Sequence, residues 1–392
     1  MQYRNDRKGM PLSILGYGCL RFTKKNGRID LPKAEAEIME AIRGGVNYFD
    51  TAYVYHGSEA ALGEILRRNG CRDRVQIATK LPHYLIRSRA GLERCFQEQL
   101  SRLKTDHVDY YLMHMLNDAE TWEALKEKGV QEWVEEKLGQ GQIRNIGFSY
   151  HGNWENFKRL LDAYDWDFCQ IQYNYMDEHS QAGRRGLKRA HEKGIPVIIM
   201  EPLRGGRLVQ GLPKSALRLL EREGSGRSPA EWGLRWLWDQ PEVTVVLSGM
   251  NDIAQVRENV RIASAAAAGC MASRDKKVIA RIKSEINRYM KVPCTGCGYC
   301  QPCPAGVDIP GCFSAYNTRY TDNWYQGMKA YIMCTTLRTT PSNASKCLKC
   351  GKCERHCPQK IHIRQQLAQV KRHMETPVYH IARMIAGKIG NY

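Results

Sequence analysis

Two short cysteine runs carry the most distinctive chemistry in the chain. The segment CTGCGYCQPCP places Cys294, Cys297, Cys300 and Cys303 with two residues between neighbours and a proline after the last. The segment CLKCGKCERHCP places Cys347, Cys350, Cys353 and Cys357, again closed by proline. Thiolates at such spacing wrap the corners of an iron–sulfur cube. The second run has the full Cys-x2-Cys-x2-Cys-x3-Cys-Pro pattern, whose fourth cysteine ligates the other cluster of a pair. The expected sets are therefore Cys294, Cys297, Cys300 and Cys357 for one [4Fe–4S] cluster, and Cys347, Cys350, Cys353 and Cys303 for a second. The first run departs from the pattern, with two residues rather than three before Cys303, which leaves Cys312 open as a substitute ligand. Repeated Cys-x2-Cys also binds zinc, but two runs each ending in Cys-Pro favour clusters.

A second constellation lies upstream. Short apolar or β-branched runs at 12–18, 46–52, 75–81, 107–113, 143–149, 168–174, 196–202 and 243–249 read as buried parallel strands. Helical patterns separate them, one opened by Ser228 with Pro229 behind it. Eight such alternations indicate a (β/α)8 TIM barrel. A doubly wound sheet is the alternative, but no GxGxxG follows the first strand. MQYR and MPLS around NDRKG suggest a small hairpin closing the barrel bottom. Chemistry on a barrel sits at the C-terminal strand ends. Strand 2 ends at Asp50 with Tyr55 just beyond, strand 3 at Lys80, and strand 4 leads into His114. A phenol of pKa about 10 is a poor acid at neutral pH unless its anion is stabilised. A neighbouring ammonium does that, and a carboxylate keeps the ammonium charged and in place.

These residues carry a family resemblance. VNYFDTAYVYHGSEAALGEIL, IATKLP and VDYYLMHML resemble the aldo-keto reductases over about residues 1–268. The resemblance implies Asp50, Tyr55, Lys80 and His114 as a catalytic tetrad acting on a small carbonyl-type substrate. It implies Ser149 and Gln170 on the nicotinamide carboxamide. Tyr150 stands where many members have Asn, and Met200 replaces an aromatic that often stacks on nicotinamide. EPLRGGRL resembles the loop over the pyrophosphate, with Leu203, Gly205 and Gly206, and Gly18 lies on the same rim. SGMNDIAQVRENV resembles the adenosine site, with Ser248, Gly249, Met250, Asn251, Gln255, Glu258 and Asn259. Arg204 and Arg207 are candidates for a 2′-phosphate. NADP(H) is the implied cofactor, and the changes at Tyr150 and Met200 leave room for a flavin ring. The long gap from Cys303 to Cys347 resembles a helical two-cluster ferredoxin module. With CTGCGYCQPCP and CPQKIHI, the whole chain resembles the iron–sulfur-containing branch of the family.

The expected architecture is α/β: a barrel over 1–268, a basic helical connector over 269–293, a mostly helical ferredoxin-like domain over 294–365 and a helical tail over 366–392. In the tail, Ile381, Met384, Ile385 and Ile389 recur at helical spacing and are expected to pack on the protein rather than lie on a membrane. Fifteen cysteines behind a polar N-terminus argue against a disulfide framework and for the cytoplasm. Cys19, Cys71, Cys95, Cys169 and Cys270 are expected as small buried hydrophobes. No apolar run approaches a membrane span. The net charge of +18 is uneven: residues 271–392 hold 20 Lys+Arg and 6 Asp+Glu, a net of +14. No recognition motif points to nucleic acid. An acidic electron carrier, ferredoxin or flavodoxin, fits a basic tail, although bound clusters would offset part of that charge. Three roles compete: a nicotinamide-dependent carbonyl reductase with structural or redox-sensing clusters, an electron-transfer reductase with a two-electron centre in the barrel, and a non-catalytic redox-regulated binding subunit. The intact tetrad argues against the third.

Overall fold

The computed structural model describes the chain except Gly224, Thr295, Cys297, Pro358 and residues 390–392, and of residues 386–389 it describes the backbone alone. Twelve strands are described: β1 Tyr3–Asn5, β2 Pro11–Ser13, β3 Leu15–Gly18, β4 Lys24–Lys25, β5 Arg28–Ile29, β6 Tyr48–Asp50, β7 Gln76–Leu81, β8 Val108–Met113, β9 Ile143–Tyr150, β10 Phe168–Gln172, β11 Val197–Met200 and β12 Val243–Ser248. Strands β3 and β6–β12 close into an eight-stranded parallel barrel in chain order, as the eight apolar runs imply.

Side chains on each strand alternate between the barrel interior and the helical layer. The barrel interior is filled by Tyr48, Ala78, Tyr110, Leu112, Phe168, Ile198, Val245 and Leu247, with Leu12 of the hairpin below them. Large rings there require small neighbours. A Cβ on Gly147 would come within 2.5 Å of the Phe168 carbonyl oxygen, and one on Gly16 within 2.7 Å of Leu247. Two residues further along each strand, the same inward face presents Gly18, Asp50, Lys80, His114, Ser149, Gln170 and Met200. The barrel floor thus carries, one layer up, the residues that the strand ends suggested.

The run at 12–18 divides. Ser13 hands its backbone N–H to Asn47 Oδ1 (2.7 Å) and its hydroxyl to Leu15 O (2.7 Å), so β2 pairs with β1 in the bottom hairpin and only β3 enters the barrel. The hairpin is anchored by Arg4, which donates to the carbonyls of Gln240 (2.7 Å), Trp238 (2.6 Å) and Val243. The last barrel helix, Ile253–Ser264, ends before the expected barrel boundary at 268. The chain must turn there so that Gly269 and Met271 can donate to Asp239 O and Oδ1 (2.9 and 2.7 Å).

The expected connector is part of the barrel's packing. Helix Ser273–Asn287 buries Val278, Ile279, Ile282 and Ile286 in the same apolar cluster as the barrel helices, with its basic residues on the outer face. A separate core holds Val292, Ile309, Phe313, Met328, Tyr331, Leu367, Val370 and Met374. It joins helices Ile309–Thr321, Trp324–Thr335 and Ile363–Met374. The boundary at 365/366 therefore falls inside a helix whose apolar face completes the second domain. The final helix, Pro377–Ile389, packs through Tyr379, while Ile381, Met384 and Ile385 are exposed. The expected packing of that stripe does not occur, because the anchoring side chain lies on another face; the side chain of Ile389 is outside the described residues. Cys19, Cys71, Cys95 and Cys169 are buried as expected, but Cys270 is exposed in the turn after the last barrel helix.

Ile282→Ala is expected to lower the unfolding free energy by about 2–5 kcal/mol, measured by urea melts of the full chain. A change under about 0.5 kcal/mol would show that this helix is a tether rather than a packed element.

Candidate active site and cluster cradle

Lys80 is buried at the end of β7. Its Nζ lies 2.7 Å from both carboxylate oxygens of Asp50 and donates to Thr51 O at 2.7 Å, so all three ammonium protons are used. The register explains the meeting: Asp50 pairs with Ala78 across β6 and β7, and Lys80 is the next residue on the same face. Tyr55 follows on the loop after β6, with the Lys80 ammonium 5.1 Å from its ring centroid. His114 stands edge-on to that ring, centroids 6.1 Å apart. The four tetrad candidates therefore share one mouth at the C-terminal strand ends.

Their electrostatics differ from the simplest expectation. Burial first, then the carboxylates of Asp50 and Glu201, push the Tyr55 phenol above its ordinary value. The resting group is a phenol with its proton in place. Burial, then the charge of Lys80, holds the His114 imidazole well below its ordinary value, so it is neutral. Its buried Nδ1 has no hydrogen-bond partner among the described residues.

The expected carboxamide partners are close by. Gln170 pairs with Ser149 across β9 and β10 and donates Nε2 to Asp50 Oδ2 at 3.0 Å. Its buried Oε1 is left without a partner among the described residues. Ser149 Oγ accepts from Met115 N at 2.8 Å, which leaves its hydroxyl proton available. An unpaired acceptor beside an available hydroxyl fits an amide, so the residues present suit a nicotinamide. Tyr150 does not bear on that site: its ring turns into the helical layer against Phe148 and Phe157 and its hydroxyl donates to Asn153 O at 2.5 Å. The change at Tyr150 therefore makes no room for a flavin ring in the mouth. Met200 does face the mouth, half-buried above Ile198.

Gly205 and Gly206 have positive φ (64° and 92°), a conformation that costs glycine little, and Leu203 packs beneath them against Gly233. Arg204 and Arg207 are not free to hold a 2′-phosphate. Arg204 is paired with Asp177, with Nε to Oδ2 at 2.9 Å, and lies 3.7 Å from Asp322, while Arg207 donates to Asp322 O. An exposed cation beside this loop is Arg21, which donates to Gly205 O at 3.0 Å and lies against Gly249. Among the residues expected to meet the adenosine, Asn259 is buried and donates to Ser248 Oγ (3.0 Å), and Gln255 accepts from Asn251 N (3.3 Å). Met250 is buried; its carbonyl accepts from Tyr17 OH (2.6 Å). Glu258 is half-exposed and Gly18 lies beside Ser248 O.

Sequence reasoning missed several groups around the mouth. Tyr84, directly after the Lys80 strand, has its ring centroid 6.2 Å from that of His114. Glu201 adopts φ 54°, a strained choice for a non-glycine residue, and accepts from Lys329 Nζ of the second domain at 3.2 Å. That contact belongs to a wider one: the second domain lies across the C-terminal face of the barrel. Asn117 Nδ2 donates to Leu337 O (3.0 Å), Thr339 N to Asp118 Oδ2 (3.1 Å), and Ser180 Oγ to Ser314 Oγ (2.9 Å). Between the domains lies a polar cavity lined by His151, Glu201 and Arg204 on one side and Asp322, Lys329 and Cys334 on the other. The strand-end rule located the tetrad candidates, but nothing in local sequence announces a partner 128 residues downstream.

The cysteines fall into two groups. Cys294, Cys300 and Cys357 line one cavity under Ile309 and Phe313, and Cys297 lies outside the described residues. Cys353 has its thiol raised by burial first and then by the nearby Glu354, Cys303 and Cys347; Cys350 is exposed beside them. Three thiols around one small cavity suit a cube, with its irons at separate corners. Among the described residues no group of three or more His, Cys, Asp or Glu side chains is placed to hold a single metal ion. Cys312 is fully buried in the domain core, its thiol on Ser342 O at 3.8 Å, which removes it as a substitute ligand.

The chain matches the Aldo/keto reductase family over residues 14–268 and the 4Fe-4S dicluster domain over residues 293–362. It is 25% identical over 297 residues to the uncharacterized oxidoreductase YrpG of Bacillus subtilis, covering 65% of this chain and 88% of that protein. It is 29% identical over 281 residues to the D-galacturonate reductase of Fragaria ananassa, covering 66% of this chain and 83% of that one. Among solved structures, an aldo-keto reductase from Bacillus halodurans in its holo form aligns with TM-score 0.60 at 25% identity, over 72% of this chain and 96% of that one. An aldo-keto reductase from Klebsiella pneumoniae in complex with NADPH shares the fold, with TM-score 0.60 at 22% identity over 72% and 95% of the two chains.

Burial holds His83 and His151 at about 4. These folded values lie below the unfolded value of about 6.5, so the unfolded chain takes up protons first as pH falls. The stability they contribute is full above about pH 6.5 and is lost on the way down to about 4, each histidine removing about 2 kcal/mol by pH 5. His151→Gln should therefore flatten the fall in stability between pH 7 and pH 5 by about that amount. Urea melts across the range check it, and an unchanged slope would mean that His151 titrates normally.

Proposed function

The chain belongs to the aldo/keto reductase family and carries a C-terminal 4Fe-4S dicluster domain, and on that premise we propose that it reduces a carbonyl group of a small molecule with NADP(H), while its cysteines hold two [4Fe–4S] clusters. The observation that carries this reading is the buried Asp50–Lys80 pair directly beneath Tyr55 and His114. Bound nicotinamide supplies the hydride. The protein's own residues do the rest. Tyr55 gives its proton to the carbonyl oxygen, and the Lys80 ammonium stabilises the phenolate left behind. Asp50 keeps that ammonium charged and aimed. Neutral His114 donates a hydrogen bond to the same oxygen and orients the substrate. The Ser149 hydroxyl and Gln170 Oε1 hold the carboxamide, Arg21 and the Gly205–Gly206 backbone face the phosphates, and the loop from Ser248 to Asn259 takes the adenosine. The first run with Cys357 holds one cluster, and the second run with Cys303 holds the other.

A second reading has a specific observation behind it. The cluster domain covers the same barrel face as the tetrad, with Lys329 reaching Glu201. One-electron clusters placed there suit an electron-transfer reductase in which an acidic ferredoxin or flavodoxin feeds a two-electron centre, such as a flavin, in the mouth.

Tyr55→Phe is expected to lower carbonyl reduction by about 10²–10⁴-fold, as loss of a positioned acid should, with NADPH binding nearly intact by fluorescence titration. Near-normal turnover would falsify the tetrad assignment. Anaerobic substrate reduction driven by reduced ferredoxin alone, without NADPH, would replace the first reading by the second.

Cys303→Ser is expected to remove iron and acid-labile sulfide toward about half of the full complement, whereas Cys312→Ser leaves both unchanged. Loss that follows Cys312 instead overturns the ligand sets.

A further inference from the structure

The two cysteine runs differ in what they touch, although Tyr299 of the first is itself 64% exposed. The first lies against the barrel: a Cβ on Gly296 would come within 2.6 Å of His179, and one on Gly298 within 3.4 Å of Arg185. The second faces solvent. Leu348 is 72% exposed and its neighbour Cys350 is exposed too. Among the described residues, the hydrogen bonds of residues 344–364 stay within the second domain.

This outer face is strongly basic. Residues 344–374 contain eight Lys+Arg and one Asp+Glu, a net of +7. The single acid, Glu354, is held by Arg364 at 2.9 Å. A groove beside Cys347 is lined by four cations, Lys349, Arg364, Lys371 and Arg372, and by one further acid, Glu375, whose Oε1 accepts from Tyr331, Asn343 and Ser345; Lys349, Lys371 and Arg372 are exposed on its rim. A four-thiolate cube in its oxidised state carries only about two negative charges, so the face stays cationic with a cluster in place. It therefore offers an exposed apolar tip, a ring of cations and a thiol of the second set at one spot. Small, charge-steered surfaces of this kind suit brief encounters rather than stable complexes.

We propose that this face is the docking surface for a small acidic one-electron carrier, and that the second-run cluster is the port, with the first-run cluster between it and the barrel. The proposal rests on the reading that the two cysteine groups hold clusters. In each encounter the carrier is oxidised by one electron and the port cluster is reduced by one, or the reverse, and no bond or proton is exchanged. The outer position of Cys350 and the inner position of Gly296 give the order.

The test is equilibrium binding of the full chain, loaded with about eight iron and eight sulfide, to an acidic flavodoxin at about 20 mM and about 200 mM salt. Binding should weaken as salt rises. The Lys349→Glu and Lys371→Glu double variant should raise Kd at least about tenfold. Lys214→Glu with Lys277→Glu, the same charge change on exposed barrel-side helices, should leave Kd within about twofold. Unchanged iron and sulfide in both variants separates a lost surface from a lost cluster. Equal weakening by the two pairs overturns the proposal, as does a loaded wild-type chain that does not bind flavodoxin. Binding of phosphatidylserine vesicles in place of flavodoxin, abolished by the first pair, overturns it in favour of a membrane surface. A wild-type chain that takes up no iron overturns the cluster reading along with it.

Discussion

A buried ammonium is tolerable only where a carboxylate meets it, and the Lys80–Asp50 pair sets that condition for the whole barrel mouth. Both carboxylate oxygens and the Thr51 carbonyl lie 2.7 Å from Nζ, and Asp50 also accepts from Gln170. One cluster of charge thus ties β6, β7 and β10 together at their C-terminal ends. Removing one partner of such a pair costs about 3–5 kcal/mol, because the other is left charged and uncompensated. The pair also fixes where Tyr55 can stand, since the loop that carries it leaves from Thr51. Packing and chemistry are the same arrangement at this point.

The floor beneath makes the pair possible. Tyr48, Tyr110 and Phe168 fill the interior, and Gly16 and Gly147 give them room. Water is kept from below by those rings and by the hairpin that Arg4 anchors. From above, the barrel is covered by a second domain with its own core. Glu201 sits where the two meet, close enough to Tyr55 and His151 to act on both titrations and paired with Lys329. The environment of His151 is therefore set by residues of both domains. A barrel alone would leave Glu201 without its cation and His151 open to water.

The +14 charge of the C-terminal third is not one surface. Part of it rides on helix Ser273–Asn287, whose apolar face belongs to the barrel. Part is neutralised locally, as where Lys283 meets Glu178 and Arg274 meets Glu223. What remains concentrated is the stretch around the second cysteine run, where acids are nearly absent. Net charge counted along the chain therefore misstates what a partner would meet.

The sequence by itself determined the barrel, because eight apolar runs of strand length alternating with helices have few ways to bury both faces of a parallel sheet. It also placed the tetrad candidates Asp50, Lys80 and His114, with Ser149 and Gln170, since period-2 geometry sends them inward from neighbouring strand ends, and it picked out the candidate cysteine groups through their spacing. Only the tertiary structure decided what depends on long-range contact. Tyr150 turned away from the mouth because its position on β9 faces the helical layer. Arg204 and Arg207 were spent on Asp177 and Asp322, leaving Arg21 beside the Gly205–Gly206 loop, and Asp322 comes from the other domain. The tail stripe of Ile381, Met384 and Ile385 stayed exposed because Tyr379, on a different face, makes the contact. Helical spacing tells which residues share a face, but which face is buried depends on what lies opposite, and that is settled only when distant segments meet.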